Sequence, residues 1–196
     1  MSLLSTEDRF GPLARALHWG IAAAIVILLA TGLVADDLPK EIKATVIPFH
    51  KALGMIALAL GLIRIGWWAV DRNRPGDEPL RWEKWPARFT MWGLLALSLA
   101  VPVSGYLMSA YAGRPIMVLG VINIPLLVGP DIPFSKEIKE VHEMLANGLL
   151  GLLVLHFAGA LYHHFVRRDG ILRRMLPACG SCTKKPTGVT ADTEAA

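Results

Sequence analysis

Three stretches of this sequence, residues 16–35, 89–113 and 144–166, contain no Lys, Arg, Asp or Glu. A solvated surface helix needs charge on its outer face, so that reading is excluded. Crossing the hydrocarbon core of a bilayer takes about 20 apolar residues, and each stretch is long enough. A fourth run, roughly 45–70, is broken only by His50, Lys51 and Arg64. Backbone polar groups have no water to bond in lipid, so helices are the expected spanning element. The chain is 54% hydrophobic and only 18% charged, which fits a membrane protein better than a soluble domain of the same length.

Other absences narrow the field. The opening MSLLSTEDRF carries two acids and lacks the basic start of a secretory signal. No small-residue cleavage site precedes Asp36, so the first apolar run is expected to stay as a helix. Only two cysteines occur, Cys179 and Cys182, as CGSC near the end. A second Cys pair or a thioredoxin-like setting would be needed for a zinc or redox site, and neither is present. The expectation is a pair of dispensable thiols.

Lys and Arg are distributed unevenly. Four helices place the N-terminus, the middle loop and the tail on one side, and those segments hold thirteen of the basic residues. The two remaining loops hold five: Lys40, Lys43, Arg114, Lys136 and Lys139. Basic residues favour the cytoplasmic side, so both termini are expected there, in a multi-pass protein of the bacterial inner membrane. The net charge of +4 then reflects topology, and no nucleic-acid partner is invoked.

The expected fold class is all-α: an integral membrane four-helix bundle over residues 1–176, with helices at about 13–35, 46–70, 87–110 and 140–166. Residues 177–196 are expected to form a disordered cytoplasmic tail. Pro102 is expected to kink the third helix. Trp67, Trp68, Trp82 and Trp85 suit an interfacial belt. The outer loop 111–139 is apolar but cut by proline into pieces too short to span. Three readings stay open for it: a segment lying in the interface, a cap on the bundle, or a reentrant piece.

Six histidines occur, and four of them, His142, His156, His163 and His164, fall in the last apolar helix. His142 and His156 are fourteen residues apart, about 21 Å along the axis and about 40° apart around it. They therefore share a face at opposite depths. His50 lies near the outer end of helix 2 and His18 near the inner end of helix 1. His50 can meet His142 at one level, and His18 can meet His156 at the other. Neutral imidazole is a usual ligand for haem iron, and a nitrogen bonded to iron is not a stranded polar group in lipid. Two haems, each clamped between two helices, would account for the burial of all four side chains. Gly32, Gly54, Gly148, Gly151 and Gly159 leave room for a flat macrocycle, although small residues also serve plain helix packing.

Arg64 interrupts helix 2 near its inner end. It either snorkels to the interface or pairs with a propionate of the inner haem. Arg15 has the same option, and Lys51 has it at the outer haem. His163 and His164 follow His156 by seven and eight residues, nearly on its face and closer to the cytoplasm. They are either interfacial polar residues ahead of Arg167 and Arg168, or proton-handling and quinone-contacting groups beside the inner haem, chiefly His163.

With these residues in hand the sequence resembles the bacterial cytochrome b561 family. The likeness rests on RALHWGIAAAIVILLATGL, FHKALGMIALALGLIRIGWW, VPVSGYLMSAY, VHEML with VLHFAGALYHHF, and RRDGILRRMLP. It spans about residues 9–177. The resemblance implies axial ligation of two haem b groups by His18, His50, His142 and His156, and a quinone contact near His163. It also implies electron transfer to ubiquinone, with periplasmic superoxide as one donor in that family.

The leading expectation is a membrane dihaem cytochrome b that carries single electrons between a periplasmic-side donor and ubiquinone, an oxidoreductase of the superoxide oxidase kind. An anionic donor would be steered by Lys51, Arg114, Lys136 and Lys139, although acidic residues share the region. A second reading is a cytochrome b anchor subunit that passes electrons between quinone and a partner oxidoreductase, of hydrogenase, formate dehydrogenase or cytochrome c type. A third, of another class, is a haem-free membrane scaffold or transporter.

Overall fold

The computed structural model describes residues 3–6, 9–72, 82–169 and 171–176. The expected tail and its two cysteines lie outside these residues. Four long helices dominate: α1 (Pro12–Leu33), α2 (Lys40–Val70), α3 (Lys84–Tyr111) and α4 (Ile132–Tyr162). All four are long and apolar enough to cross a membrane, and the chain is a multi-pass helical membrane protein. Their outer faces are greasy: Val26, Ile27, Leu62, Ile63, Phe89, Val154 and Phe157 are exposed. That distribution suits lipid as solvent, where apolar side chains gain nothing by turning inward.

The helices are longer at several ends than hydropathy alone suggests. α2 begins at Lys40 rather than near 46, and α4 at Ile132 rather than near 140. The reason for α4 is local. Asp131 caps it, its side chain accepting from the Phe134 N–H at 3.0 Å, and Pro133 fits the first turn, where its missing N–H costs nothing. Lys136, Glu137 and Lys139 therefore sit on helix rather than in a loop. α2 runs through Pro48 and α3 through Pro102 without ending.

The apolar outer segment is a β-hairpin, β1 (Ile116–Val118) paired antiparallel with β2 (Ile122–Ile124). It is a small addition to an otherwise all-α fold. Ile116 and Val118 are buried and β1 packs on α2, while Leu119, Val121 and Leu127 are exposed. The turn holds Leu119 and Gly120 at φ of 53° and 69°, the left-handed region that glycine tolerates and leucine rarely adopts.

At the opposite end the N-terminal strap is fastened to the end of α2. Ser5 donates both its hydroxyl (2.6 Å) and its N–H (3.1 Å) to the buried Asp71 carboxylate. After α4 comes a π-helical turn, α5 (His163–Arg167), and then a short helix, α6 (Ile171–Met175). Arg15 and Trp19 of α1 donate to the carbonyls of Leu176 and Met175 at 2.8 and 2.9 Å. The N-terminus, the end of α2 and the segment after α4 thus converge on one end of the bundle.

Packing is uneven. α4 lies tightly on α3, α1 on α2, and α2 on α3, but α4 scarcely touches α1 or α2. A gap runs between α4 and the α1–α2 pair.

Candidate functional site

The side chains that reach into this gap are histidines. At the inner end His18 of α1 and His156 of α4 have ring centres 6.3 Å apart. At the outer end His50 of α2 and His142 of α4 have ring centres 6.4 Å apart. The two couples expected from helical rise and phase are the two that meet. A metal–nitrogen bond of about 2.0 Å, plus roughly 1.1 Å from nitrogen to ring centre on each side, puts two imidazoles that share one metal about 6.2 Å apart. Both couples have that spacing.

Among the described residues no group of three His, Cys, Asp or Glu side chains is placed to hold a bare ion. Each couple supplies two ligands, which suits a metal whose remaining ligands come from a macrocycle, as in haem. The surroundings fit a flat group as well. A cavity of about 280 Å³ lies against His50 and His142, walled by Ile25, Leu29, Gly54 and Leu149. A Cβ added at Gly54 would meet nothing within 4 Å, so the space beside it is open.

The back edges of the outer rings are held. Thr31 Oγ1 lies 2.9 Å from His50 Nδ1 and donates its own proton to the Ile27 carbonyl at 2.8 Å. It is therefore the acceptor for an Nδ1–H. Ser104 Oγ lies 2.9 Å from His142 Nδ1 and donates to the Val101 carbonyl at 2.8 Å. That carbonyl, which can only accept, also lies 3.1 Å from His142 Nδ1. Both rings are thus fixed with the proton on Nδ1 and the lone pair on Nε2.

The residue after each hydroxyl is glycine. A Cβ at Gly32 would stand 3.2 Å from His50 Cε1, and one at Gly105 would stand 3.1 Å from His142 Cε1. Each helix presses directly on its imidazole only because no side chain intervenes. Of the other glycines expected to make room, Gly148 sits against Leu97, and Gly151 and Gly159 have open space beside them.

The three cationic candidates differ. Arg64 is half-buried within electrostatic reach of both His18 and His156, and its Nη1 makes a long contact, 3.5 Å, with the Ala14 carbonyl. Arg15 spends Nη1 on Leu176 but keeps Nε buried without a partner among the described residues. An orphaned buried N–H of this kind fits an anionic group nearby. Lys51 donates to Ser109 Oγ at 2.8 Å and lies near Arg114.

His163 opens the π-turn and is half-buried. Its Nδ1 lies 2.6 Å from Asp169 Oδ2, with side-chain exposures of 19% and 14%. His164 lies apart from this couple, its ring against Phe165. Of the basic residues expected to steer an anion, Lys139 is tied to Asp36 and Glu143 at 3.0 and 2.6 Å. Sequence reasoning missed Thr31, Ser104, Gly105 and Asp169. The shared hydroxyl–glycine dipeptides, Thr31–Gly32 and Ser104–Gly105, are the signal it had available.

The pattern of the prokaryotic cytochrome b561 family matches residues 9–178. Cytochrome b561 homolog 2 of Escherichia coli is 32% identical over 182 residues, covering 90% of this chain and 95% of its own length. Cytochrome b561 homolog 1 of the same organism is 27% identical over 177 residues, covering 87% and 98%. A probable superoxide oxidase of Yersinia pestis is 24% identical over 176 residues, covering 87% and 97%. The chain belongs to the prokaryotic cytochrome b561 family of helical membrane electron-transfer cytochromes, a membership that implies b-type haem.

Proposed function

We propose that this protein is a dihaem cytochrome b that carries single electrons from a donor on the outer side to ubiquinone. The observation that carries the reading is the pair of imidazole couples, 6.3 and 6.4 Å between ring centres, at two depths of one membrane bundle. His18 and His156 hold the inner haem, and His50 and His142 the outer one. The domain covers residues 1–176, and the basic residues gathered at one end orient both termini towards the cytoplasm.

Haem held between two of these histidines would supply one-electron transfer. The chain's own residues do the rest. Four helices hold the imidazoles, the apolar walls exclude water, and Arg15 and Arg64 offer cationic partners to carboxylates at the inner end. Ubiquinone needs a proton donor as well as electrons. His163 stands at the end of α4, seven residues beyond His156, and its Nδ1 is held by Asp169. That leaves Nε2 as the atom that meets a quinone oxygen; the ring in its imidazolium form would pass the Nε2 proton and take one back from solvent. His164 is a second candidate contact.

Superoxide is the donor supported by likeness to the relative named a probable superoxide oxidase. With Lys139 neutralised by two carboxylates, attraction of an anion falls to Lys51, Arg114 and Lys136. The anchor-subunit alternative draws on the exposed apolar hairpin tip of Leu119 and Val121, a surface a partner oxidoreductase would cover. Family membership weighs against a haem-free scaffold or transporter.

Haem quantification on purified protein tests the core of this reading. Two haems per chain are expected, with one lost in His156→Ala and one in His142→Ala. A wild-type ratio of one, or an unchanged ratio in both variants, overturns it. Stopped-flow reduction by superoxide tests the donor, and co-purification of a stoichiometric partner decides for the anchor alternative.

A further inference from the structure

We propose that Thr31 and Ser104 are positioning residues for the outer imidazole couple, and that they make the outer site the lower-potential one of the two. This rests on the dihaem reading above. The hydroxyls accept from Nδ1–H of His50 and His142, and the Val101 carbonyl adds a second acceptor for His142. Hydrogen-bonding the distal N–H of a metal-bound histidine raises its basicity. A more basic imidazole stabilises the oxidised metal more than the reduced one, so the potential falls.

The inner couple is built differently. Among the described residues neither His18 nor His156 has a hydrogen-bond partner at a ring nitrogen. One nearby charge points the same way. The Arg64 cation lies within electrostatic reach of His18 and His156, and a cation favours the site that has gained an electron. At the outer couple Glu143 is paired with Lys139 at 2.6 Å and Lys51 follows His50 in the chain, so charge there is balanced and ligand basicity sets the order. With haem bound at both couples, electron transfer inward would run downhill, towards the end that carries His163 and Asp169.

The arrangement is doubled in the fold. In each case a hydroxyl residue followed by glycine comes from a helix next to the ligand's own, α1 for His50 and α3 for His142. The glycine lets the helix approach, and the hydroxyl fixes the tautomer. Neither step works alone, since a side chain at position 32 or 105 would push the ring away from the acceptor.

The test is optical potentiometric titration of haem-replete protein, with the two components assigned by their selective loss in His50→Ala and His156→Ala. The wild-type outer component is expected to titrate at the lower potential. Thr31→Val and Ser104→Ala are each expected to raise that component and leave the inner one in place, and Thr31→Ser to restore it. If Thr31→Val sheds the outer haem, Thr31→Ser carries the test: it keeps both haem and potential if the acceptor is what matters. An outer component that titrates above the inner one, or that does not move in either variant, overturns the proposal while leaving two haems in place. A wild-type protein with a single haem overturns the dihaem reading itself.

Discussion

Asp169 Oδ2 stands 2.6 Å from His163 Nδ1, six residues back along the chain. No regular α-helix brings residues i and i+6 together. The π-turn His163–Arg167 and the left-handed Arg168, at φ 54°, bend the chain so that Asp169 returns under the ring. π-turns inside long helices often mark functional positions, and this one directly follows α4.

Asp169→Asn should lower ubiquinone reduction by about 10–100-fold, the range typical for loss of an outer partner to a working histidine. Haem content should not change, since Asp169 lies far along the chain from His156. Steady-state reduction of a short-chain ubiquinone, set against the haem-to-protein ratio, checks this. Asp169→Glu, which keeps the carboxylate, should recover part of the rate. Equal losses of haem and turnover in Asp169→Asn would mean that the carboxylate only holds the fold together.

The glycines beside the outer rings give a steric prediction. Gly105→Val should expel the outer haem selectively, because even the first added carbon would lie 3.1 Å from His142 Cε1. Gly32→Val should do the same through His50. Gly66→Ala is the control: nothing lies within 4 Å of the added carbon, and the change should be neutral or stabilising by up to about 1 kcal/mol through helix propensity. Haem counts and thermal unfolding of the three proteins separate these outcomes.

The spans and the histidine couples were legible because both follow from one-dimensional rules. A charge-free run of sufficient length has to cross, and fourteen residues of helix fix a depth and a face. The partners of those histidines were not legible, because they depend on register between helices. Nothing in ATGL or VSGY alone says which ring it will touch. The extra turns of α4 were within reach through Asp131 and Pro133, but hydropathy stops at Glu140 and hides them. The hairpin was out of reach because Leu119 occupies a left-handed turn position that ordinarily advertises itself with Gly or Asn.

The strap at the inner end predicts a stability effect without a spectral one. Asp71 is buried and accepts two hydrogen bonds from Ser5. Asp71→Ala leaves those donors buried without their acceptor, at a cost of about 1–3 kcal/mol. The melting temperature in detergent should fall while the haem spectrum stays as in wild type. A spectral change would mean that the strap supports the inner couple directly.

The outer end carries a pH-dependent clasp between the α1–α2 connection and α4. Lys139 donates to Asp36 Oδ2 at 3.0 Å and holds that carboxyl below the usual carboxylate range. A lowered value in the folded protein means that the clasp contributes fully above the unfolded value of about 3.9 and is lost as pH falls through the folded one. The two side chains are 75% and 47% exposed, so solvent screens them and Asp36→Asn should cost less than about 1 kcal/mol at neutral pH. The gap between wild type and Asp36→Asn in thermal unfolding should therefore be small at pH 7, shrink further in about 1 M salt, and close as pH falls through the folded value. A gap that persists in acid would assign the effect of Asp36 to packing beside the outer cavity, whose rim it forms, and not to its charge.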